Sequence, residues 1–222
     1  KQIENDPQYQ KLVADMKVLV TLITNNPEHY LTINERKGIA IRVDEALQKV
    51  TEYKINRKYY GYSEYYVLKV AKVDLLTKLT KLNENFVKES LEKYKEFFDN
   101  IDGKSLDEQQ RKAVVIDEQN NLVIAGAGSG KTLTILAKVL YLLKRGISPQ
   151  EILLIAFTRK SAGELEERVN RNLSLKINVS TFHKLGLDII TKSNSERPDI
   201  DDNMETYIED YFSKELIKHQ ED

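Results

Sequence analysis

The sequence contains no cysteine, which excludes disulfide bonds and thiolate metal ligands as sources of stability. It also lacks any run of about eighteen or more apolar residues, so no segment is predicted to span a membrane. The chain begins with Lys1 rather than methionine, and no secretory signal pattern follows. These features predict a cytoplasmic protein without membrane partners, and they are typical of a domain taken from a longer chain.

The sequence also lacks an excess of charge of either sign. Its 34 Lys and Arg residues nearly balance its 35 Asp and Glu residues, which gives a formal net charge of -1. A protein that surrounds duplex DNA is usually basic. Any contacts with nucleic acid are therefore expected to be local rather than spread over the surface.

Residues 1–102 are predicted to form a mainly helical region. The segment "QKLVADMKVLVTLIT" has an apolar face at helical spacing. "NNPEHYL" predicts a helix start with Asn26 as the cap and Pro27 in the first turn. "NERKGIAIRVDEALQKVTEY" fits either a strand or a helix interrupted at Gly38. A long helical pattern, whose apolar stripe includes Val73, follows from about residue 66, with a break expected near residues 83–85. The apolar face of the first segment contains Leu12, Val13, Met16, Leu19, Val20 and Ile23.

The pattern changes after residue 102. Gly103 is predicted to close the preceding helix, and Ser105 with Glu108 forms an S-x-x-E capping box that begins a new one. Beyond them, apolar runs alternate with helical stretches, which is typical of a parallel α/β sheet. Strands are predicted at residues 122–125, 152–157 and 177–180, each followed by a helix. A last amphipathic helix is predicted from Met204 to about Leu216.

The segment "GAGSGKT", residues 126–132, is predicted to bind phosphate. It follows the pattern G-x-x-x-x-G-K-[ST] except that Ala125 replaces the first glycine. Glycines let the backbone N–H groups surround an anion, and the helix beginning near Gly130 directs its positive end toward the same anion. Lys131 is predicted to contact the β- and γ-phosphates, and Thr132 to bind Mg²⁺. The expected ligands are ATP and Mg²⁺.

Four segments follow one another at close spacing: "LDEQQRKAV", "LVIAGAGSGKT", "ILLIAFTRKSAGELEERV" and "VSTFHKLG". In this order they resemble the Q motif and motifs I, Ia and Ib of the UvrD/Rep-type superfamily 1 DNA helicases. The approach "FFDNIDGKSLDEQQRKAVV" resembles the helicase IV branch. The resemblance implies an α/β fold with a P-loop RecA-like parallel sheet. Its implied domains are a mainly helical region at residues 1–102, a partial RecA-like ATP-binding domain 1A at residues 103–195, and the start of an inserted helical subdomain 1B at residues 196–222.

The resemblance also implies the site residues. Gln110 would read the adenine edge with its amide. Leu133 stands where the family often has an arginine, so contacts with the base are expected to differ. Without the family pattern, Phe157 and Phe182 would be interpreted as core residues at strand ends. The implied nucleotide-binding residues are Gln110, Ala127, Gly128, Ser129, Gly130, Lys131 and Thr132, with Thr132 also the metal ligand. The implied DNA-binding residues are Phe157, Thr158, Arg159, Thr181, Phe182 and His183.

ATP hydrolysis in this family also needs a strand that ends in Asp-Glu. "AIRVDE" and "AVVIDEQ" imitate it, but both precede the phosphate-binding segment, whereas the family's acidic strand follows motif Ib. Asp44 and Glu45 are therefore predicted to lie on a helix surface, and Asp117 and Glu118 in a solvated turn. No catalytic residue is expected within the chain, which is expected to bind ATP–Mg without hydrolysing it.

The implied function is that of the N-terminal part of an ATP-dependent DNA helicase or translocase. Its implied partners are single-stranded DNA, DNA with a single-stranded tail, and other DNA-repair proteins. An alternative is a helicase-like ATPase that acts on RNA polymerase through its helical N-terminal arm. The tyrosines of "YKINRKYYGYSEYY" could stack on single strands. Packing within a small helical domain is the interpretation we prefer for them.

Overall fold

The computed structural model describes residues 3–54, 57–172, 177–194 and 203–212. The chain divides into two compact units, Lys1–Ile147 and Ser148–Asp222. Among the described residues no helix is long and apolar enough to cross a membrane. The predicted division at residues 102–103 and 195–196 stays a prediction. The helices are α1 (Pro7–Thr24), α2 (Ile33–Tyr53), α3 (Tyr62–Ala71), α4 (Leu75–Lys93), α5 (Lys95–Asp99), α6 (Glu108–Val115), α7 (Lys131–Lys144), α8 (Arg159–Asn172), α9 (Phe182–Asn194) and α10 (Met204–Tyr211), and the strands are β1 (Leu153–Ala156) and β2 (Asn178–Thr181).

Helix α1 belongs to the first unit and packs against α2, α3 and α4. It begins where the Asp6 carboxylate accepts a hydrogen bond from the Gln8 N–H at 2.8 Å. Its predicted apolar face is confirmed, with Val20 half-buried at the margin. The buried side chains of this helix are Tyr9, Leu12, Val13, Met16, Leu19 and Ile23.

Helix α2 begins at Ile33, so the predicted start at Pro27 is wrong. The Thr32 hydroxyl accepts from the Glu35 N–H, and the Glu35 carboxylate accepts from the Thr32 N–H, which together form a capping box. The helix continues through Gly38, and no strand forms there. The segment forms a helix rather than a strand because its buried residues recur at helical spacing on one face. These residues are Ile39, Val43, Ala46 and Val50.

The long helical pattern is interrupted earlier than predicted. A 3₁₀ turn at Lys72–Asp74 separates α3 from α4. Val73 lies in this turn and is 89% exposed, so its predicted place in an apolar stripe is wrong. Asn83 lies inside α4 and is buried. Its side-chain amide donates to the Leu31 carbonyl and accepts from the Leu31 N–H, each at 2.8 Å, which explains why the expected break does not occur there.

Gly103 forms a tight turn rather than a helix end. Ile101 and Lys104 pair with each other in the antiparallel sense, through hydrogen bonds of 2.7 and 3.0 Å. Between them, Asp102 and Gly103 have φ angles of +52° and +75°. Two successive left-handed residues of the Asp-Gly type are typical of such turns. The predicted role of Gly103 as a helix C-cap is therefore wrong.

Helix α6 begins at Glu108 with Asp107 as its cap. The Asp107 carboxylate accepts from the Gln110 N–H at 2.8 Å, and the Gln110 side chain accepts from the Asp107 N–H at 2.9 Å. The predicted pairing of Ser105 with Glu108 is wrong. Leu106 separates the two possible caps and is only 2% exposed, so the chain is still entering the core at Ser105.

Residues 122–125 do not form the predicted strand. A strand is stabilised by hydrogen bonds to a neighbouring strand, and the described strands, β1 and β2, pair with each other. Leu122, Val123 and Ile124 are consequently 86%, 56% and 90% exposed. The predicted fold class is therefore supported in a coarser form: the described chain is mainly helical and contains a small parallel sheet.

The second unit contains a β–α–β arrangement followed by α9. Strands β1 and β2 are parallel and in register from Leu153 opposite Asn178 to Ala156 opposite Thr181. Helix α8 connects them and buries Leu165 and Val169. The predictions for β1, β2, α8 and α9 are confirmed to within a few residues. The last predicted helix is confirmed over α10, and its expected continuation to Leu216 lies outside the described residues.

Candidate functional site

The phosphate loop, residues 126–132, is a tight exposed turn. Gly128 and Gly130 have φ angles of +74° and +83°, a region that L side chains rarely adopt. The Ser129 hydroxyl donates to the Gly126 carbonyl oxygen at 2.8 Å and holds the turn closed. No atom lies within 4 Å of a Cβ built on Gly126 or Gly128, so the space beside the loop is open. This arrangement leaves backbone N–H groups available to an anion.

Lys131 bends back over the phosphate loop from the first residue of α7. Its ammonium donates to the Gly126 carbonyl at 2.7 Å and to the Ala125 carbonyl at 3.2 Å. Thr132 follows in the same first turn and is half-buried. The first N–H groups of a helix have no partner within it and carry the positive end of its dipole. A cation and a helix N-terminus therefore lie together at this loop.

Gln110, on α6, contacts the phosphate loop directly. Its Nε2 donates to the Ser129 carbonyl at 3.0 Å, while its Oε1 accepts from the Asp107 N–H at 2.9 Å. A Cβ on Gly130 would lie 2.6 Å from Nε2, so a side chain at this position would displace the Gln110 amide. An amide nitrogen has two donor hydrogens and an amide oxygen has two lone pairs. The side chain is thus fixed while one donor and one acceptor remain.

Lys138, which is not among the predicted site residues, attaches α7 to the other end of α6. Its ammonium donates to the carbonyls of Val114 and Ile116 at 2.9 and 3.1 Å and to Asp117 Oδ1 at 3.0 Å. Arg145 lies 3.7 Å from the other Asp117 oxygen. Asp117 is therefore an ion-paired residue whose side chain remains 40% exposed, so the predicted solvated turn is correct only in part. The sequence signal that could have indicated this ion pair is the presence of Lys138 among the apolar residues of α7.

Glu118 joins the start of α2 to the segment before the phosphate loop. Its carboxylate accepts from the Ile33 N–H at 2.7 Å and pairs with Arg36 at 3.2 Å. Partial burial opposes ionisation, but these contacts and the Gln119 N–H outweigh it and lower the pKa of Glu118. The predicted solvated turn is wrong for Glu118. Asp44 and Glu45 lie exposed on α2, as predicted.

Tyrosines of the sequence "YKINRKYYGYSEYY" pack within the first unit, in agreement with the interpretation preferred from the sequence. Tyr53 stacks edge-on against the covered Tyr9, with ring centroids 5.2 Å apart. Tyr65 is half-buried against the core of the unit. Tyr60 and Tyr66 remain 57% and 56% exposed at the margin. Packing therefore accounts for Tyr53 and Tyr65, while the rings of Tyr60 and Tyr66 lie mostly in solvent.

In the second unit, the implied DNA-binding residues gather at one edge of the sheet. Because Ala156 and Thr181 are opposite each other in a parallel pair, Phe157 and Phe182 follow the two strands at the same carboxyl edge. Phe157 is 87% exposed and Phe182 is 65% exposed. The interpretation of these two rings as core residues is therefore wrong.

A groove of about 710 Å³ runs along this edge. Thr158 and Thr181 stabilise the helices beside it, since their hydroxyls accept from the N–H groups of Ser161 and Lys184 at 3.0 and 3.3 Å. Helices α8 and α9 both begin at this edge, so both direct their positive ends toward the groove. Its lining includes Phe157, Arg159, Thr181, His183 and Lys184 and also the acidic Glu166 and Asp188.

A phosphate loop at a helix N-terminus is typical of nucleotide-binding proteins, and exposed aromatic rings are typical of surfaces on which nucleic-acid bases stack. Residues 106–222 match the family model of the UvrD/REP helicase N-terminal domain. The chain therefore belongs to the UvrD/Rep helicase family, and the resemblance inferred from the motifs is confirmed.

Three relatives illustrate the similarity. DNA helicase IV of Escherichia coli (strain K12) is 42% identical over 118 residues, which cover 52% of this chain and 17% of that protein. ATP-dependent DNA helicase Rep of the same organism is 43% identical over 88 residues, covering 37% and 13%. Putative ATP-dependent DNA helicase YjcD of Bacillus subtilis (strain 168) is 34% identical over 142 residues, covering 60% and 18%. The chain thus spans less than a fifth of the length of each.

Proposed function

We propose that this chain is the ATP–Mg-binding and single-stranded-DNA-binding N-terminal part of an ATP-dependent DNA helicase or translocase that works in the cytoplasm. The observation that carries the proposal is Lys131 folded over a loop with left-handed glycines at the start of α7. Family membership supports it. The proposal includes a partial RecA-like domain 1A at residues 103–195, with residues 196–222 beginning subdomain 1B.

ATP binding uses groups that the phosphate loop already presents. The Lys131 ammonium, now bonded to two loop carbonyls, would exchange them for β- and γ-phosphate oxygens. The loop N–H groups of residues 127–130 would contact the same phosphates, that of Ser129 by exchanging the Gly126 carbonyl for a phosphate oxygen, and the Thr132 hydroxyl would hold Mg²⁺. Adenine presents N7 as an acceptor and N6 as a donor. The donor and acceptor that remain on the Gln110 amide match that edge.

DNA binding uses the sheet edge of the second unit. Phe157 and Phe182 present exposed rings on which bases can stack. The N-termini of α8 and α9, together with Arg159 and His183, would contact the phosphates of the strand. Stacking tolerates any base, so we expect little sequence preference. The low net charge of the chain fits contacts confined to this edge.

We further propose that residues 1–222 alone bind ATP without hydrolysing it. Hydrolysis needs an Asp-Glu pair that holds Mg²⁺ and activates water. Asp117 is bonded to Lys138, and Glu118 to Ile33 and Arg36, which supports a structural role for both. Phosphate release from ATP by the chain should equal that of a Lys131→Ala variant, with and without single-stranded DNA. Release above that control would contradict this part of the proposal.

The DNA-binding part is tested by the fluorescence anisotropy of a labelled oligo-dT strand. We expect binding that weakens steadily as salt is raised, because Arg159 and the helix N-termini contact phosphates. The same strand in duplex form should bind more weakly. Binding that does not depend on salt, or that is equal for duplex and single strand, would contradict the proposed DNA site.

A helicase-like ATPase that acts on RNA polymerase is the second candidate. The observation that favours it is the exposure of three apolar side chains in the N-terminal helical region: Ile41, Val70 and Val73 are 59%, 54% and 89% exposed. Co-purification of RNA polymerase with the chain, lost on Val73→Asp and kept on Phe157→Ala, would support this candidate. If the Val73→Asp variant still retains RNA polymerase, this second candidate function is excluded.

A further inference from the structure

Helix α6 is attached to α7 and its preceding loop at both of its ends. In its first turn, Gln110 bonds to the Ser129 carbonyl at 3.0 Å. At its last turn, the carbonyls of Val114 and Ile116 accept from Lys138, two turns into α7. The eight residues of α6 therefore lie between a contact with the phosphate loop and a contact with the Lys138 ammonium.

The contact at Lys138 is chemically complete. An ammonium group has three donor hydrogens, and three acceptors lie at 2.9, 3.1 and 3.0 Å from it. Two of these are carbonyls at the C-terminal end of α6, where helical carbonyls lack partners and the helix dipole is negative. The third is Asp117, whose carboxylate also lies near Arg145. The lysine side chain is only 25% exposed.

We infer that Lys138 is a positioning residue for purine recognition: by fixing the end of α6 on α7, it fixes the Gln110 amide beside the phosphate loop. The inference rests on the proposed ATP site. Hydrogen bonds weaken steeply once their angle falls toward about 120°, and α6 is a rod of only about 12 Å. Val114 and Val115 stay buried when the lysine contact is lost, so α6 keeps its place but can tilt at its far end, and the Gln110 amide no longer holds one orientation.

The consequence concerns the choice between bases rather than phosphate binding. Guanine presents O6 and N7, both acceptors, where adenine presents a donor and an acceptor. A fixed Gln110 amide discriminates between them, whereas an amide free to turn can satisfy either base. Loss of Lys138 should therefore weaken ATP binding more than GTP binding. A general weakening of the fold would lower both affinities alike.

The test measures the dissociation constants of ATP–Mg and GTP–Mg for the full 222-residue chain, by competition with a fluorescent ATP analogue. We expect Gln110→Ala to lower the preference for ATP by about tenfold, the scale of one good pair of base contacts. Lys138→Met should lower it by a comparable factor. Lys112→Met is the matched control, because this exposed lysine lies on α6 itself and pairs with Glu108 on the surface of the same helix. It should leave the ratio unchanged.

A double-mutant cycle separates positioning from a merely structural role. If Lys138 acts through Gln110, the variant with both changes should have the ATP-to-GTP ratio of Gln110→Ala alone. An unchanged ratio in Lys138→Met, or multiplicative effects of the two changes, would overturn the inference. If Lys138→Met lacks a cooperative unfolding transition, Asp117→Asn replaces it in the cycle, since it removes the charge from one of the three acceptors.

The outcomes also distinguish this inference from the proposed function. A wild-type chain that binds neither nucleotide contradicts the proposed ATP site itself. A wild-type chain that binds ATP and GTP equally overturns base reading by Gln110, and this inference with it, while phosphate binding stands. A ratio that falls in Gln110→Ala and not in Lys138→Met overturns the inference alone.

Discussion

Gly130 and Gln110 approach each other so closely that a methyl group on Gly130 would lie 2.6 Å from the Gln110 Nε2 atom. The phosphate loop and α6 are therefore in close contact at Gly130, where the backbone also has a φ of +83°. The left-handed backbone favours glycine at this position, and a side chain there would also displace the Gln110 amide.

Gly130→Ala should consequently destabilise the first unit by about 1–2 kcal/mol from the left-handed backbone conformation alone, with the contact to Gln110 adding to it. Gly38→Ala is the matched control, since Gly38 lies inside α2 with open space around its Cβ. In a helix interior this change should stabilise by about 0.5–1 kcal/mol. Urea unfolding of both variants measures the effects. Equal midpoints for the two variants would contradict the geometry at Gly130.

Asn83→Leu should lower the free energy of unfolding by about 2–4 kcal/mol, because it leaves the N–H and carbonyl of Leu31 buried without partners. Asn85→Leu makes the same change at an exposed position of α4 and should alter stability by less than about 0.5 kcal/mol. Thermal or urea unfolding distinguishes the two. A loss of similar size in both variants would mean that the paired bonds at Leu31 contribute nothing specific.

The pH dependence of stability should report on Glu118. Its pKa is lowered in the folded chain, so its contribution is present above the unfolded-state value of about 4.3 and is lost as the pH falls through the folded-state value. Glu118→Gln should therefore be less stable than wild type near neutral pH, and the difference should shrink on acidification. Unfolding free energies measured from neutral to acidic pH test this.

The partner of Glu118 provides the controls for that experiment. Arg36→Met should reduce the same pH-dependent difference, because it removes the guanidinium at 3.2 Å. Arg42→Met, on the exposed side of α2, should leave the difference intact. A stability difference between wild type and Glu118→Gln that grows on acidification has the opposite sign and would refute the assignment.

Phe157→Ala and Phe182→Ala should each weaken single-stranded DNA binding by about 1–3 kcal/mol, the usual value of one base stacked on an aromatic ring. Both rings are largely exposed, so the unfolding midpoint should change little. Ile189→Ala removes another exposed apolar side chain from α9, which is 59% exposed, and should leave DNA affinity unchanged. A comparable loss in Ile189→Ala would show that the aromatic edge has no special role.

Local patterns in the sequence account for the elements that were predicted correctly. The face of α1 follows from apolar residues at helical spacing, and β1, β2, α8 and α9 follow from alternating apolar and helical segments. Caps were less predictable, because "KSLDEQQ" contains two possible capping boxes two residues apart. Burial of Leu106 decides between them, and burial is a property of the folded chain.

Contacts between distant residues account for the elements that were missed. Asn83 bonds to Leu31, 52 residues earlier, and Glu118 bonds to Ile33, 85 residues earlier. Neither pairing leaves a periodic signal. At residues 122–125 the apolar run was read correctly, but a strand also needs a neighbour with which to pair. At the site, the motifs indicated the loop, and only the folded chain shows that Lys138 holds α6 beside it.

The central claim is that the phosphate loop binds ATP–Mg through Lys131, and isothermal titration calorimetry of the 222-residue chain tests it most directly. We expect one nucleotide per chain in the presence of Mg²⁺. Lys131→Ala should abolish or greatly weaken binding, and Lys144→Ala, at the far end of the same helix, should retain it. Equal heats of binding for wild type and Lys131→Ala, or no binding by either, would contradict the account.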